Sequence, residues 1–220
     1  MRRTINQSIR CLGLLIILLP LVSNSQQQPR VLTLDEPIDL QVQKASLMHV
    51  LGWLSVVKRI PIGIEFSAVE KNEPKLNIDV KKASLLKVLN LIVQQEPAYV
   101  WELTDGVINF TPVQNREDFF VKLLETPIRS FESPKGNNKF AIRDALLSLP
   151  EVNELIRQNG LAADTMDYPH KPSIYANSAD LSDRNTNFRS LLNKVIRESE
   201  HNSWTLQWFD KKGKVFVLGF

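Results

Sequence analysis

The sequence predicts an α+β protein made of two small domains, each with two helices packed on small mixed β-sheets. Three observations predict it. A strand–helix unit is written twice without a gap, as IDLQVQKASLMHVLGWL (38–54) and LNIDVKKASLLKVLNLI (76–92), and a looser copy returns around Asn187. Within each of the first two copies, apolar residues switch from alternation, the period of a half-buried strand, to i, i+3, i+4, i+7, the period of a helix with one buried stripe. Short turn signals, such as Glu96-Pro97 and Asp105-Gly106, separate these segments and keep each one short.

The first 25 residues read as a secretory signal peptide. Arg2, Arg3 and Arg10 precede an apolar run from Cys11 to Val22, and Ser23 and Ser25 occupy the small-residue positions of a cleavage site. The run is too short for a membrane span, which needs roughly 20 residues, so no span is expected after cleavage. Removal of 1–25 takes three arginines and no acid from 27 basic and 24 acidic residues, leaving 24 of each. A balanced charge gives no generic attraction to nucleic acid or anionic lipid. Cys11 is the sole cysteine, so the exported chain has neither disulfides nor thiolate metal sites.

Residues 26–35 read as a leader, and the first domain as 36–113. Ile38, Leu40 and Val42 form one face of a strand. Ser46 caps the helix that follows, offering its hydroxyl to an orphan N–H of the first turn. Leu47, Val50, Leu51 and Leu54 share one helical stripe, and Ile62, Ile64 and Phe66 alternate again after Pro61. The second copy repeats this with Leu76, Ile78 and Val80, the cap Ser84, and the stripe Leu85, Val88, Leu89 and Ile92. Tyr99, Trp101 and Leu103 then share a strand face, Thr104-Asp105-Gly106 makes a hairpin turn, and Val107 to Thr111 returns. Each helix buries four side chains, roughly 6–12 kcal/mol of gross burial, which is comparable to the entropy of ordering a dozen residues. Single units therefore need a shared sheet.

Residues 114–120 read as a linker and 121–220 as a second, divergent domain. Val121 to Phe131 reads as extended, Ile142, Ala145, Leu146 and Leu149 as a helical stripe, and Glu151–Asn159 as a second helix opened by Pro150 and closed by Gly160. Residues 161–177 read as a loop. At an offset of 103 from the second copy, Leu89/Leu192, Ile92/Val195, Trp101/Trp204 and Leu103/Leu206 coincide, with Asn187 as the cap in place of Ser84. Asp183 replaces Val80, which weakens the strand signal before this helix.

The segment 38–112 resembles the secretin and TonB N-terminus short domain. The resemblance is carried by the Lys-Ala-Ser-Leu-x-x-Val-Leu helix entries at 44–51 and 82–89, the strand Tyr99-Val-Trp101-Glu-Leu103, the Asp-Gly turn and the closing Val-Ile-Asn-Phe-Thr-Pro at 107–112. It implies two helices against small mixed sheets, a periplasmic or outer-membrane-associated location, and docking onto envelope proteins, among them components of secretin or TonB systems. It implies no catalytic residue and no cofactor. With Phe220 as the last residue, no secretin pore or receptor barrel is expected. A regulatory or sensory role, signalling to an inner-membrane regulator, shares the same fold.

Motifs for catalysis are absent from the sequence: there is no HExxH, no G-x-S-x-G and no phosphate-binding glycine loop. His49 takes the helical place that Lys87 takes in the second copy, an ordinary surface position. His201 follows Glu198 and Glu200 at a helix end, where it meets the helix dipole. A metal-dependent hydrolase would have to use the 161–177 loop with His170, Asp164 and Asp167; a polar loop explains these residues as well. For partner binding, Trp101 and Trp204 read as core. Trp208 and Phe209, on opposite faces near the last hairpin, supply the candidate exposed anchor. Asn115 to Asp118 and Lys211 to Lys214 read as solvated loop and hairpin tip.

Overall fold

The computed structural model describes residues 32–66, 75–134, 139–164, 181–198 and 202–220. The expected signal peptide, and His170, Asp167 and His201, lie outside the described residues. The fold is α+β, as the repeat implies.

Strand β1 (Pro37–Ala45) leads into helix α1 (Leu47–Lys58) and strand β2 (Ile62–Glu65). The second copy gives β3 (Leu76–Ser84), α2 (Leu85–Gln95) and the hairpin β4 (Tyr99–Thr104) and β5 (Val107–Pro112). All three expected caps form: Ser46 Oγ accepts from the His49 N–H, Ser84 Oγ from Lys87, and Asn187 Oδ1 from Ser190. Two residues before each cap the backbone turns left-handed, at Lys44 (φ 51), Lys82 (φ 50) and Asn185 (φ 52). The strand thus kinks into its helix in the same way three times. The turns at Lys44 and Lys82 are held from the partner strand, with the Lys44 N–H donating to Asn77 Oδ1 and the Lys82 N–H to Asp39 Oδ1.

The remainder comprises helix α3 (Asp118–Glu125), strand β6 (Pro127–Glu132), helices α4 (Lys139–Leu147) and α5 (Pro150–Gln158), strands β7 (Ala162–Ala163) and β8 (Ser182–Asn187), helix α6 (Phe188–Glu198), and strands β9 (Ser203–Asp210) and β10 (Val215–Gly219). Two expectations are corrected. Residues 118–125 are helical, where a linker and then a strand were expected, because Phe119, Phe120, Leu123 and Leu124 fall on one helical stripe and bury it. The extended segment begins only at Pro127. The second stretch accordingly carries four helices where two were expected. The strand before α6 does form despite its polar sequence, pairing antiparallel with β6. Helix α5 ends as expected: Gly160 (φ 60) donates to Arg157 O and Leu161 to Ile156 O, a Schellman motif.

The sheet topology is duplicated. Ribbon β1–β3 is matched by ribbon β6–β8, both antiparallel. Strands β4-β5-β2, antiparallel then parallel, are matched by β9-β10-β7, again antiparallel then parallel. These two three-stranded sheets join through a parallel β2–β9 pairing into one six-stranded sheet, in the order β4-β5-β2-β9-β10-β7. The two apolar cores meet at this sheet. Ile62, Ile64, Ile108 and Phe110 belong to the core around α1 and α2. Val107, Trp204, Leu206, Phe216 and Leu218 belong to the core around α3 and α6.

Candidate docking surface

Helix α1 carries the one extended apolar face that the fold leaves open. Its buried stripe is Leu47, Val50, Leu51 and Leu54, as the sequence spacing requires. Its outer face is also apolar: Met48 is 45% exposed, Val56 72% and Val57 57%, while Trp53 is half-buried with the Lys58 ammonium 5.4 Å from its ring centroid. Met48, Gly52 and Val56 follow at i, i+4 and i+8, so Gly52 is a gap between two side chains. A Cβ at Gly52 would meet no atom within 4 Å. His49 is exposed on the same helix, as expected of a surface position.

Helix α2 is the internal control. It has the same buried stripe, Leu85, Val88, Leu89 and Ile92. At the repeat offset of 38, however, Asn90, Gln94 and Gln95 stand where α1 has Gly52, Val56 and Val57. A helix apolar on all sides is normally enclosed; α1 is such a helix with one side open. The rim is basic, since α1 ends in Lys58 and Arg59 and contains no acid. Sequence reasoning that followed only the buried stripe missed this face. The signal was a twelve-residue helix whose only full charge is its last residue.

The aromatic residues near the last hairpin divide. Phe209 is 55% exposed on β9, near the Lys211–Lys214 tip. Trp208 is half-buried, stacked on Phe120 at 5.1 Å between ring centroids, with Phe119 at 6.3 Å. It fills the side of the core that α3 brings. Lys211 Nζ bonds Glu117 Oε1 at 2.6 Å, tying the tip to the segment before α3.

The two repeat tryptophans also differ. Trp204 is fully buried and its Nε1 donates to Asn193 Oδ1 at 2.8 Å; Asn193 Nδ2 donates on to Thr104 O. Trp101, expected in the core, is only half-buried. Its Nε1 donates to Asn90 Oδ1 at 3.2 Å, the same asparagine–tryptophan pair at the same spacing of 11 residues. Strand β9 gains a neighbour in β2, whereas β4 lies at the end of the sheet; that difference leaves Trp101 less covered.

A buried ion cluster locks the two halves. Glu65, 1% exposed, accepts from Arg116 Nε at 2.8 Å and Nη2 at 2.6 Å, and from Arg189 Nη2 at 2.8 Å. Hydrogen bonding to this carboxylate raises the Arg116 pKa, outweighing the lowering by burial. The linker thus supplies a structural residue, where a plain solvated loop was expected. Arg116 has no local pattern that announces it.

Asp164, the one described member of the hydrolase alternative, sits on the end of β7, where its N–H donates to Phe216 O. Among the described residues no group of three His, Cys, Asp or Glu lies placed to hold a metal ion. No described helix is long and apolar enough to cross a membrane. Comparison with protein-family models, curated proteins and solved structures finds no match.

Proposed function

We propose that the chain is an exported, non-enzymatic interaction module of the secretin/TonB short N-terminal type, which docks a cell-envelope protein through the outer face of α1. The observation that carries this reading is the apolar face Met48–Gly52–Val56, with Val57 beside it, set against the polar face of its repeat-equivalent α2. One duplicated unit keeps a solvated helix and the other does not, so the apolar face is a property of position and not of the fold.

The chemistry of the face describes its partner. Contiguous exposed apolar surface marks binding sites, and a glycine between two larger side chains admits the ridge of a crossing helix. A basic rim without acids favours an amphipathic partner helix with acidic flanks. The repeated strand–helix entries with their Ser caps, and the N-terminal export pattern, support the envelope setting.

The test is in-cell photo-crosslinking from position 56, followed by mass spectrometry. The expected result is one envelope protein captured through an acidic amphipathic helix and lost on Val56→Asp. Capture of no envelope protein, or capture unaffected by Val56→Asp, would refute the docking role.

A further inference from the structure

The internal duplication leaves the six-stranded sheet with two unlike ends, and these ends are the same two kinds of edge that the β2–β9 junction already joins. At the junction, β2 is the strand after the first helix of one stretch, and β9 is the strand after the last helix of the other. The sheet begins with β4, the counterpart of β9, and finishes with β7, the counterpart of β2.

The details of the two edges agree with that equivalence. Beside the two-residue turn, Thr104 faces Val107, and the Val113 N–H donates to Ala98 O. Hydrogen-bonded pairs alternate in an antiparallel ladder, so the main-chain groups of Trp101 and Leu103 point away from β5. Their counterparts Trp204 and Leu206 point at β2, where the Phe66 N–H donates to Leu206 O. On β7, the Ala162 and Asp164 N–H groups donate inward to Lys214 O and Phe216 O, which turns the main chain of Ala163 outward. Ala162 is exposed and takes the place of Gly63, the small residue that faces Trp204 across the junction. Ala163 packs on its own core, as Ile62 and Ile64 do on theirs.

Burial at equivalent positions shows what the β4 edge lacks. Leu206 is 0% exposed and its counterpart Leu103 is 43% exposed; Trp204 is 0% exposed and Trp101 is half-buried. We propose that copies of this chain associate head to tail, with Leu161–Ala163 of one copy laid parallel to Trp101–Leu103 of the next, repeating the β2–β9 junction between molecules. Such a contact is heterologous. It leaves one edge of each kind free after every addition, and so it builds a ring or a filament and not a closed dimer. Strand addition at an open edge supplies the main-chain bonds, and Ala162 is small enough to approach Trp101.

The test uses two exposed substitutions. Leu103→Lys charges the β4 edge and leaves β7 intact, whereas Ala162→Lys places a long side chain where the junction tolerates only a small one and leaves β4 intact. Sedimentation velocity over a wide concentration range is expected to show the unaltered protein growing beyond two chains. Each variant alone loses every species larger than one chain, and an equal mixture of the two gives a complex of two chains and no more. Far-UV circular dichroism and denaturation midpoints confirm that both variants fold. The proposal is overturned if the unaltered protein stays a single chain throughout, if either variant still self-associates, or if the mixture remains single chains. Val56→Asp on α1 leaves this association unchanged, so its outcome is separate from that of the envelope-docking test.

Discussion

Trp204 lies against Gly63, its direct partner in the parallel β2–β9 register, and closes the joint between the two halves of the molecule. A Cβ at position 63 would stand 2.6 Å from the indole Nε1, inside van der Waals contact. The indole cannot retreat easily, because Nε1 is bonded to Asn193 and the ring is fully buried. Gly63→Ala is therefore expected to cost about 2–3 kcal/mol, in the range of overpacked cores. Chemical denaturation measures the loss, and the near-ultraviolet circular dichroism of the buried indole should change with it.

Removing the charge at Glu65 should be costly because both arginines are drawn in by it. Glu65→Gln leaves Arg116 and Arg189 facing a neutral amide in a largely buried site. Breaking a buried pair from one side typically costs about 3–5 kcal/mol. Arg116→Ala, at a side chain 30% exposed, should cost less, since Arg189 still neutralises the carboxylate. The reverse order in equilibrium unfolding would show that the cluster is not held by its acid.

The two strand-to-helix kinks separate cap energy from backbone strain. Ser84→Ala removes the acceptor for the Lys87 N–H and should destabilise by about 1 kcal/mol. Lys82→Gly, at φ 50, relieves a left-handed non-glycine residue and should stabilise by up to about 0.5 kcal/mol after the added freedom of the unfolded chain is subtracted. The matching pair Ser46→Ala and Lys44→Gly should shift stability in the same two directions, a comparison that thermal unfolding of the four variants makes directly.

Trp208 and Phe209 should behave oppositely although they are adjacent. Trp208→Ala removes a ring stacked on Phe120 and should cost about 3 kcal/mol. Phe209→Ala, at a side chain 55% exposed, should change stability by no more than about 0.5 kcal/mol.

Acid should loosen the contact between β6 and the start of α5. Hydrogen bonding from Arg129, with a smaller contribution from its own backbone, lowers the Glu151 pKa. A lowered folded-state value means the contribution is complete above the unfolded carboxylate value of about 4.3 and is lost as pH falls through the folded one. Since Arg129 is 80% exposed, the effect is small and screened by salt. Stability measured from about pH 5 down to about pH 3 should fall less steeply in Glu151→Gln than in the unaltered protein.

The strand faces, helical stripes and caps of the first two copies were legible in the sequence because they depend on residues within a few positions of one another. Ser46, Ser84 and Asn187 each satisfy an N–H three residues on, and Leu85, Val88, Leu89 and Ile92 meet on one side of a helix whatever that side packs against. Helix α3 was misread because Phe119 and Phe120, its first two buried residues, were assigned to a linker, which left too short a stripe to recognise. The asparagine–tryptophan pairs 90/101 and 193/204 share the repeat offset of 103 and were available to inspection, but a polar residue inside an apolar stripe draws attention only once its partner is seen.

The sequence by itself determined the α+β class, the repeated unit and the side of each element that turns inward. Tertiary structure alone decided that β2 pairs with β9, that Glu65 gathers Arg116 and Arg189, and that Trp204 is sealed while Trp101 is half open. Periodicity is a local property and specifies which face leaves water. Strand neighbours and buried ion pairs join residues more than 50 positions apart, and their choice rests on the fit of whole surfaces, such as a glycine beneath an indole, which no local pattern records.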